Sequence, residues 1–401
     1  LAKIIYSALI ASLGAFLFGY HVAIIAGADL FIAEEFQLKT FQQEWTVSIV
    51  LIGCLIGSLC ASISDYLGRK STLFLTALLY LLATLCLYTA VDFHMLLIGR
   101  FVVGIAIGIA SVAVPLYISE ISPPKNRGAL VAINQLMIMV GVVVSYLVSY
   151  LFSSSSNWRA MFACAFIPAL LQFIGLFFIP DTSFRRDKKS SFRALLNPIV
   201  RTPFIIGVGL SLFQQVTGIS TVIAYAPRIF ELAGFSSTGG ALAATFWLGV
   251  VLVLTTLLGL LLIDQMGRRL LSLIGIAGMV LSLFILGGAF LFHVGEMGLI
   301  AIISLIAYIS FFSGTLGMIV IIAEIYPLGI RGRAMSIVSS VNWAANFAVS
   351  LTFLTLIQLL GIGGAYWMYA LICLLAFLFV WKKVPETKGK TLEEIQKFWQ
   401  K

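Results

Sequence analysis

Charge is what this chain has least of. Asp, Glu, Lys and Arg make up 10% of its 401 residues, against 61% hydrophobic, and the mean hydropathy is +1.09. A soluble domain of this length needs far more charge on its surface, so a soluble enzyme or binding domain is excluded. Histidine is scarce too, with three residues in all. No cluster of His, Cys, Asp or Glu shows metal-ligand spacing, and no nucleophile–base constellation is legible, so neither a metal, a cofactor nor an enzymatic activity is expected. The five cysteines (Cys54, Cys60, Cys86, Cys164 and Cys373) all fall inside apolar runs. An odd number with none in an outer loop argues against a disulfide framework. There is no Asn-x-Ser/Thr acceptor, and the first outer loop, near 28–44, is short. Both point to a bacterial cell (inner) membrane.

What the chain has in abundance is apolar runs near the length of a bilayer span. Twelve are read, near 4–27, 45–64, 71–91, 96–118, 129–152, 158–179, 204–229, 240–263, 270–292, 298–323, 334–358 and 364–381. The first reads as a span rather than as a cleaved signal. The spans use nearly all the chain, so no sizeable soluble domain fits.

The net charge of +9 invites a nucleic-acid reading, and its distribution rejects it. With the N-terminus in the cytoplasm, only Lys39, Arg100, Arg159 and Arg228 fall outside the inner segments. That asymmetry is the positive-inside signal, and it predicts two cytoplasmic termini and contact with anionic lipid heads.

Two turns roughly 200 residues apart share one pattern. Asp65-Tyr66-Leu67-Gly68-Arg69-Lys70 and Asp264-Gln265-Met266-Gly267-Arg268-Arg269 each place Asp, two spacers, Gly and two cations between apolar runs. Glu120 precedes Arg127-Gly128 as Glu324 precedes Arg331-Gly332, and Pro180-Asp181-Thr182 is echoed by Pro385-Glu386-Thr387. Loops repeated in order imply two tandem copies of one membrane unit, a common construction of alternating-access transporters. The expected division is 1–179 and 204–383, joined by a basic linker at 180–203 and followed by a tail at 384–401. A short amphipathic helix is expected over Phe192–Ile199, and Thr391 with Glu394 reads as a capping box. Gly389-Lys390-Thr391 imitates the end of a phosphate loop, but the first glycine of that motif would fall at Val384.

Polar side chains inside the spans are few and therefore informative. Gln135, Gln214, Gln215 and Asn342 lie well within apolar runs. An unpaired amide in hydrocarbon is costly, so each must face protein or water. Amides offer donor and acceptor together, which suits a neutral hydrogen-bonding ligand, although inter-helix hydrogen bonds are the alternative use. Tyr225 and Trp343 offer apolar faces to a ligand, or simple packing. Gly104 and Gly108 read as close helix contacts.

These strings, in their order, carry a resemblance over essentially the whole chain. Phe18-Gly19-Tyr20, Asp65–Lys70, Gly99-Arg100, Pro115-Leu116-Tyr117-Ile118-Ser119-Glu120, Asn134-Gln135, Trp158-Arg159, Phe213-Gln214-Gln215 with Gly218-Ile219, Asp264–Arg269, Glu324-Ile325-Tyr326-Pro327, Arg331-Gly332, Asn342-Trp343 and Pro385-Glu386-Thr387-Lys388-Gly389 resemble the sugar porter family of the major facilitator superfamily. The resemblance implies an all-α integral membrane protein, with twelve transmembrane helices in two pseudo-symmetric six-helix bundles. It implies transport of a monosaccharide (a hexose, a pentose or a polyol such as inositol), with function as a monomer and no nucleic-acid partner. By the same resemblance Gln135, Gln214, Gln215, Ser220, Tyr225, Asn342 and Trp343 line the sugar site. Asp65, Gly68, Arg69, Glu120, Arg127, Asp264, Arg268, Glu324 and Arg331 would form a cytoplasmic gate whose ion pairs latch the two halves. Loop anchoring is the simpler use of those charges.

Departures from the family pattern bear on the cargo and its coupling. Ser220 stands where Asn is common, Ala224 replaces the first of two tyrosines, and the span-ten Trp position is taken by Ile319. Family symporters carry Asp after Phe-Gly-Tyr, paired with the span-four arginine, here Arg100; this chain has His21. A second acid common in span six is replaced near Ala165. Asp alternates between −1 and 0, so it binds and frees an arginine, whereas His alternates between 0 and +1 and only repels it. His21 is expected to be neutral, and facilitated uniport is favoured over proton symport. In the alternative, protons are a second partner carried by His21 or by Asp29, a displaced counter-ion eight residues on and roughly 12 Å along the helix. A non-transporting sensor and an exporter of another solute are the remaining readings.

Overall fold

A computed structural model describes residues 2–61, 64–123, 127–181, 198–326, 328–389 and 394; it describes no side chain at 2, 65, 66, 127–129, 198–200, 323 or 328–333. Every regular element among them is helical. Hydrocarbon offers no partner to a backbone N–H or C=O, so each span must close its own hydrogen bonds. In chain order the helices are α1 (Ala2–Ala23), α2 (Ile25–Glu35), α3 (Thr40–Cys60), α4 (Ser64–Leu67), α5 (Arg69–Tyr88), α6 (Phe93–Ile121), α7 (Arg127–Leu151), α8 (Trp158–Ala163), α9 (Phe166–Gly175), α10 (Pro198–Val216), α11 (Ile219–Leu232), α12 (Thr238–Met266), α13 (Arg268–Leu291), α14 (Met297–Phe312), α15 (Leu316–Glu324) and α16 (Leu328–Lys383). Eleven stretches are long and apolar enough to cross a membrane. The last, Ala334–Lys383, contains two spans, because Gly361 leaves the helical region at φ 71° and ψ 161° and breaks α16 there. The twelve expected spans are all present as helix. The expected helix over Phe192–Ile199 falls largely outside the described residues, as do Thr391 and most of the tail.

The chain packs as two units. The first comprises Leu1–Asp187 with Ile223–Glu231 and Phe235–Gly249; the second comprises Lys188–Val222 with Leu232–Gly234 and Val250–Lys401. In the first, α1 packs on α7, and α6 packs on α3 and α5. In the second, α10 packs on α16, and α13 packs on α14 and α16. The pairing of α1 with α7 and of α10 with α16 joins the first and fifth spans of each half, as a tandem repeat requires.

α3 and α6 pack backbone against backbone. A Cβ at Gly104 would stand 2.0 Å from the Val50 carbonyl oxygen, and one at Gly53 would stand 2.3 Å from that of Phe101. Gly57 and Gly108 repeat the arrangement one turn on. Four glycines therefore let two backbones touch, and any larger residue would push the helices apart.

The two basic turns reverse the chain in the same way. Gly68 caps α5 at φ 88° and Gly267 caps α13 at φ 94°. Both lie in the left-handed region that a residue with a Cβ rarely enters. The repeat seen in the letters is thus a repeat of backbone geometry.

Candidate functional site

Span seven is broken where its polar residues cluster. α10 ends at Val216 and α11 begins at Ile219, with Gly218 between them at φ 96°. The break places Gln214 and Gln215 in the last turn of one helix and Ser220 in the first turn of the next. Ser220 Oγ donates to Gln215 Oε1 at 3.0 Å, and Gln215 Nε2 donates to Asn342 Oδ1 at 3.1 Å. Asn342 Nδ2 in turn donates to Gln214 Oε1 and to the Ser211 carbonyl, each at 3.3 Å. All four side chains are half-buried rather than sealed. Gln214 Nε2 has no hydrogen-bond partner among the described residues, which leaves a donor for a ligand hydroxyl. The cluster is pre-organised, since each amide plane is fixed by a neighbour, and it offers a neutral ligand both donors and acceptors.

A second layer holds the break in place. Tyr308 Oη donates to the Thr217 carbonyl at 3.0 Å, and a Cβ on Gly218 would lie 3.1 Å from the Tyr369 ring. Trp343 is buried beside Asn342 in the sequence, and Ile319, in α15, is exposed. Gln135 (half-buried on α7) and Tyr225 (buried on α11) belong to the first unit, whereas Gln214, Gln215, Ser220, Asn342 and Trp343 belong to the second.

The expected coupling position is built differently from an acid–arginine pair. Arg100 is completely buried and spends its fork on backbone carbonyls: Nη1 donates to His21 O at 2.8 Å, Nε to Thr46 O and Nη2 to Val47 O, both at 3.3 Å. It ties α6 to the end of α1 and to α3. The His21 ring is fully buried, and neither ring nitrogen has a hydrogen-bond partner among the described residues. It lies parallel to the Tyr80 ring, with centroids 5.8 Å apart and 2° between planes, and edge-on to Tyr20. Ala165 is buried. Asp29 is also buried, its Oδ1 has no hydrogen-bond partner among the described residues, and the cations acting on it are Arg228 and then Arg100.

The basic turns form matching networks inside each unit. In the first, Arg69 Nε pairs with Glu120 Oε1 at 2.9 Å, and Lys70 Nζ donates to the Ile179 carbonyl at 2.7 Å. In the second, Arg268 pairs with Asp264 at 2.9 Å and Glu324 at 3.7 Å, and Arg269 Nη2 donates to the Trp381 carbonyl at 2.6 Å. Glu120 and Glu324 therefore reach the arginines of the turns. The side chains of Asp65, Arg127 and Arg331 lie outside the described residues, so their expected share in the network has no geometry here.

Three functional-looking contacts escaped sequence reasoning. Glu386 accepts backbone N–H bonds from Arg268 and Arg269 at 3.1 and 3.0 Å, and from Thr387 and Lys388 at 2.9 and 3.0 Å. Burial alone would raise its carboxyl, but those four donors hold it below the usual carboxylate range. It neutralises the positive end of α13, so the Pro-Glu-Thr string is a helix cap supplied from the far end of the chain. On the first unit, Glu35 accepts from both Nη atoms of Arg159 at 3.0 and 2.7 Å and from the Trp158 indole at 2.6 Å. The Arg159 fork holds the Glu35 carboxyl below its usual range. Arg228 Nη1 donates to Gln43 Oε1 at 2.6 Å. No local signal marks these pairs, since the partners lie more than a hundred residues apart in sequence.

Comparison with known proteins agrees with this architecture. The family model described as "Sugar (and other) transporter" matches residues 7–196 and 183–399. The D-xylose transporter of Levilactobacillus brevis is 36% identical over 96% of this chain and 93% of its own length. The galactose-proton symporter of Escherichia coli K12 is 34% identical, over 97% and 92%. A crystal structure of a D-xylose-proton symporter superposes with a TM-score of 0.85 at 32% identity, covering 97% of this chain and all of the other. The inward-open xylose transporter of E. coli superposes equally well, at 30% identity. A repeated basic turn, a broken seventh span lined with amides and helices that align from end to end have one common source: this multi-pass membrane chain belongs to the sugar porter family of the major facilitator superfamily, a family of transporters and not of enzymes.

Proposed function

We propose that this protein carries a small neutral monosaccharide or polyol across the cell membrane by alternating access, with both termini in the cytoplasm. The bundles at 1–179 and 204–383 rock about the sugar while the linker at 180–203 joins them. The observation that carries this reading is the Gln214–Gln215–Ser220–Asn342 cluster, which is neutral, pre-organised and open at one amide donor. A charged solute would leave that cluster with no counter-charge, and a purely apolar one would leave its amides unpaired. The names of the relatives, xylose and galactose carriers, support a pentose or hexose as cargo. Gln135, Tyr225 and Trp343 complete the site in this reading.

Facilitated uniport is the coupling mode we favour. Arg100 is satisfied by three carbonyls, and the His21 imidazole makes no hydrogen bond to it, so no protonation event at His21 is needed to free or bind the arginine. Proton symport through Asp29 is the second reading, supported by that buried carboxylate and by relatives named as proton symporters. Counterflow into proteoliposomes with a panel of pentoses, hexoses and inositols tests the cargo; no counterflow with any of them overturns sugar transport. An imposed pH gradient then separates the modes: uniport leaves the final sugar ratio unchanged, and accumulation abolished by an uncoupler overturns it.

A further inference from the structure

Span seven carries polar groups at its break that the amide cluster does not use. In an unbroken helix the Thr221 N–H would take the Thr217 carbonyl. Here it bonds Gly218 O at 3.1 Å, and the Val222 N–H bonds the same oxygen at 3.3 Å. The Thr217 carbonyl is thus left out of the helix ladder. Tyr308 Oη donates to it at 3.0 Å, and Cys373 Sγ stands 4.0 Å away. The same threonine reaches back: its Oγ1 donates to the Gln214 carbonyl at 3.2 Å. One residue therefore links the Tyr308 hydroxyl to the turn that carries Gln214 and Gln215.

Tyr366, Tyr369 and Cys373 recur at i, i+3 and i+7 on the second arm of α16, which is one face of a helix. Like Tyr308, all three are buried to 2% exposure or less. The Tyr369 ring packs against Gly218, and Phe353 and Phe290 flank the rings of Tyr369 and Tyr366, with centroids 6.3 and 6.2 Å apart. The rings are packed, yet neither hydroxyl has a hydrogen-bond partner among the described residues. A buried hydroxyl without a partner is costly, and phenylalanine would fill the same volume without that cost. A carbonyl accepts two hydrogen bonds, so Thr217 O has a lone pair left after Tyr308. Two donors without acceptors on the helix face that meets Gly218, and a carbonyl with capacity left at Thr217, supply the polar partners that an internal water requires.

We infer that an ordered water sits in the second unit beside the break of span seven, held by the Tyr366 and Tyr369 hydroxyls and the Thr217 carbonyl. The water and Tyr308 together fix Thr217, and Thr217 fixes the main chain from which Gln214 and Gln215 are aimed. Tyr308, Tyr366 and Tyr369 are then positioning residues: they act on the ligand through Thr217 rather than by contact. The water site stands on the second unit alone. Its effect on sugar affinity rests on the sugar-transport reading above.

Radiolytic hydroxyl-radical footprinting of the full-length protein in nanodiscs, without sugar, reads the water independently of transport, because radicals form wherever water is bound. Cys373 and Tyr369 should be oxidised, although a maleimide added to the folded protein leaves Cys373 unlabelled. In the double variant Tyr366→Phe with Tyr369→Phe the oxidation of Cys373 should be lost. Tyr369→Phe alone should lower the melting temperature, since the water loses a holder; a dry site would gain from the same change. In counterflow Tyr308→Phe should raise KM about five-fold, the factor of one hydrogen bond, with the maximal rate near wild type. Absence of oxidation at Cys373 and Tyr369 in the wild-type protein overturns the water, and so does a Tyr369→Phe variant that melts at or above the wild-type temperature. Maleimide labelling of Cys373 overturns it too, since the site would then be open to bulk solvent. Loss of maximal rate at unchanged KM in Tyr308→Phe overturns the positioning role. Should that variant fail to fold, the KM of Tyr369→Phe decides: a rise supports the role and a wild-type value overturns it. Failure of counterflow in the wild-type protein overturns sugar transport and leaves oxidation and melting to decide the water by themselves.

Discussion

Gln215 Nε2 donates to Asn342 Oδ1 across 3.1 Å and so joins α10 to the first arm of α16. Two half-buried amides that fix one another are pre-organised for a third partner, and removing either leaves the other mis-aimed. Gln215→Ala and Asn342→Ala should each weaken sugar binding by about 1–3 kcal/mol, the cost of a buried hydrogen bond left unmade. Calorimetry on the purified protein measures this. The double variant should lose less than the sum of the two, with a coupling energy above ~0.5 kcal/mol. Full additivity would mean that the pair does not act together on the ligand.

Glu386 should make the stability of the second unit depend on acid. Its folded carboxyl titrates below the unfolded one, so it contributes stability above the ordinary glutamate pKa of about 4.3 and loses it as pH falls through the lower folded value. Glu386→Gln should lower the melting temperature at pH 7 by an amount equivalent to about 0.5–2 kcal/mol, the range of a lost helix cap. The gap between variant and wild type should narrow as the pH falls below about 4. Thermal unfolding across a pH series gives the answer; a gap independent of pH would deny the carboxylate its role.

We propose that the charges of the basic turns and of the span ends act as a cytoplasmic gate. Arg69 pairs with Glu120, and Arg268 with Glu324, each within its own unit. Such pairs, partly exposed, contribute roughly 0.2–1 kcal/mol each. Glu120→Arg should therefore shift the conformational balance toward cytoplasmic opening by about five-fold, the factor that corresponds to ~1 kcal/mol. An impermeant maleimide added on the cytoplasmic side should label a Gln135→Cys probe faster in that variant. The swap Arg69→Glu with Glu120→Arg should restore the slower rate. Unchanged labelling in Glu120→Arg would leave these residues as loop anchors.

His21→Asp places a carboxylate next to the main-chain carbonyl that Arg100 now holds. The new acid would compete for the Arg100 fork, and its protonation would then alternate the pairing. Under the uniport reading, uptake in this variant should be more pH-dependent than in the native protein, read as initial rates in proteoliposomes between pH 5.5 and 8. A flat profile in His21→Asp would show that Arg100 stays with the carbonyls regardless.

Most of the fold was legible because a membrane span is contiguous in sequence. Twelve apolar runs and two turns of one pattern need no knowledge of tertiary contact. The amide cluster was legible for a related reason: Gln214, Gln215 and Asn342 stand out against hydrocarbon, and Gly218 marks the break that gathers them with Ser220. The resemblance pairs the span-four arginine with an acidic side chain at position 21, which this chain lacks, and here Arg100 bonds the carbonyl of that residue instead. A backbone acceptor is the same in all twenty residues and leaves no trace in the letters. Glu386 was seen as part of a repeated string without a role, because its donors are the N–H groups of a helix that starts 118 residues earlier. Arg228 was noticed only as a cation outside the cytoplasmic set, since nothing near it in sequence announces Gln43 or Asp29.

The contact of α3 with α6 through Gly53, Gly57, Gly104 and Gly108 has a consequence for the surrounding lipid. Two helices whose backbones touch interlock carbonyl against Cα and cannot slide along one another. In a thinner or thicker bilayer a lone span adjusts its tilt freely, at a cost of fractions of a kcal/mol per Å of mismatch. This pair must tilt as one double-width rod, carrying Arg100 and the end of α1 with it. Acyl-chain length should therefore reach the buried Arg100 and the carbonyls it holds, and transport rates are to be compared in vesicles of short- and long-chain lipid.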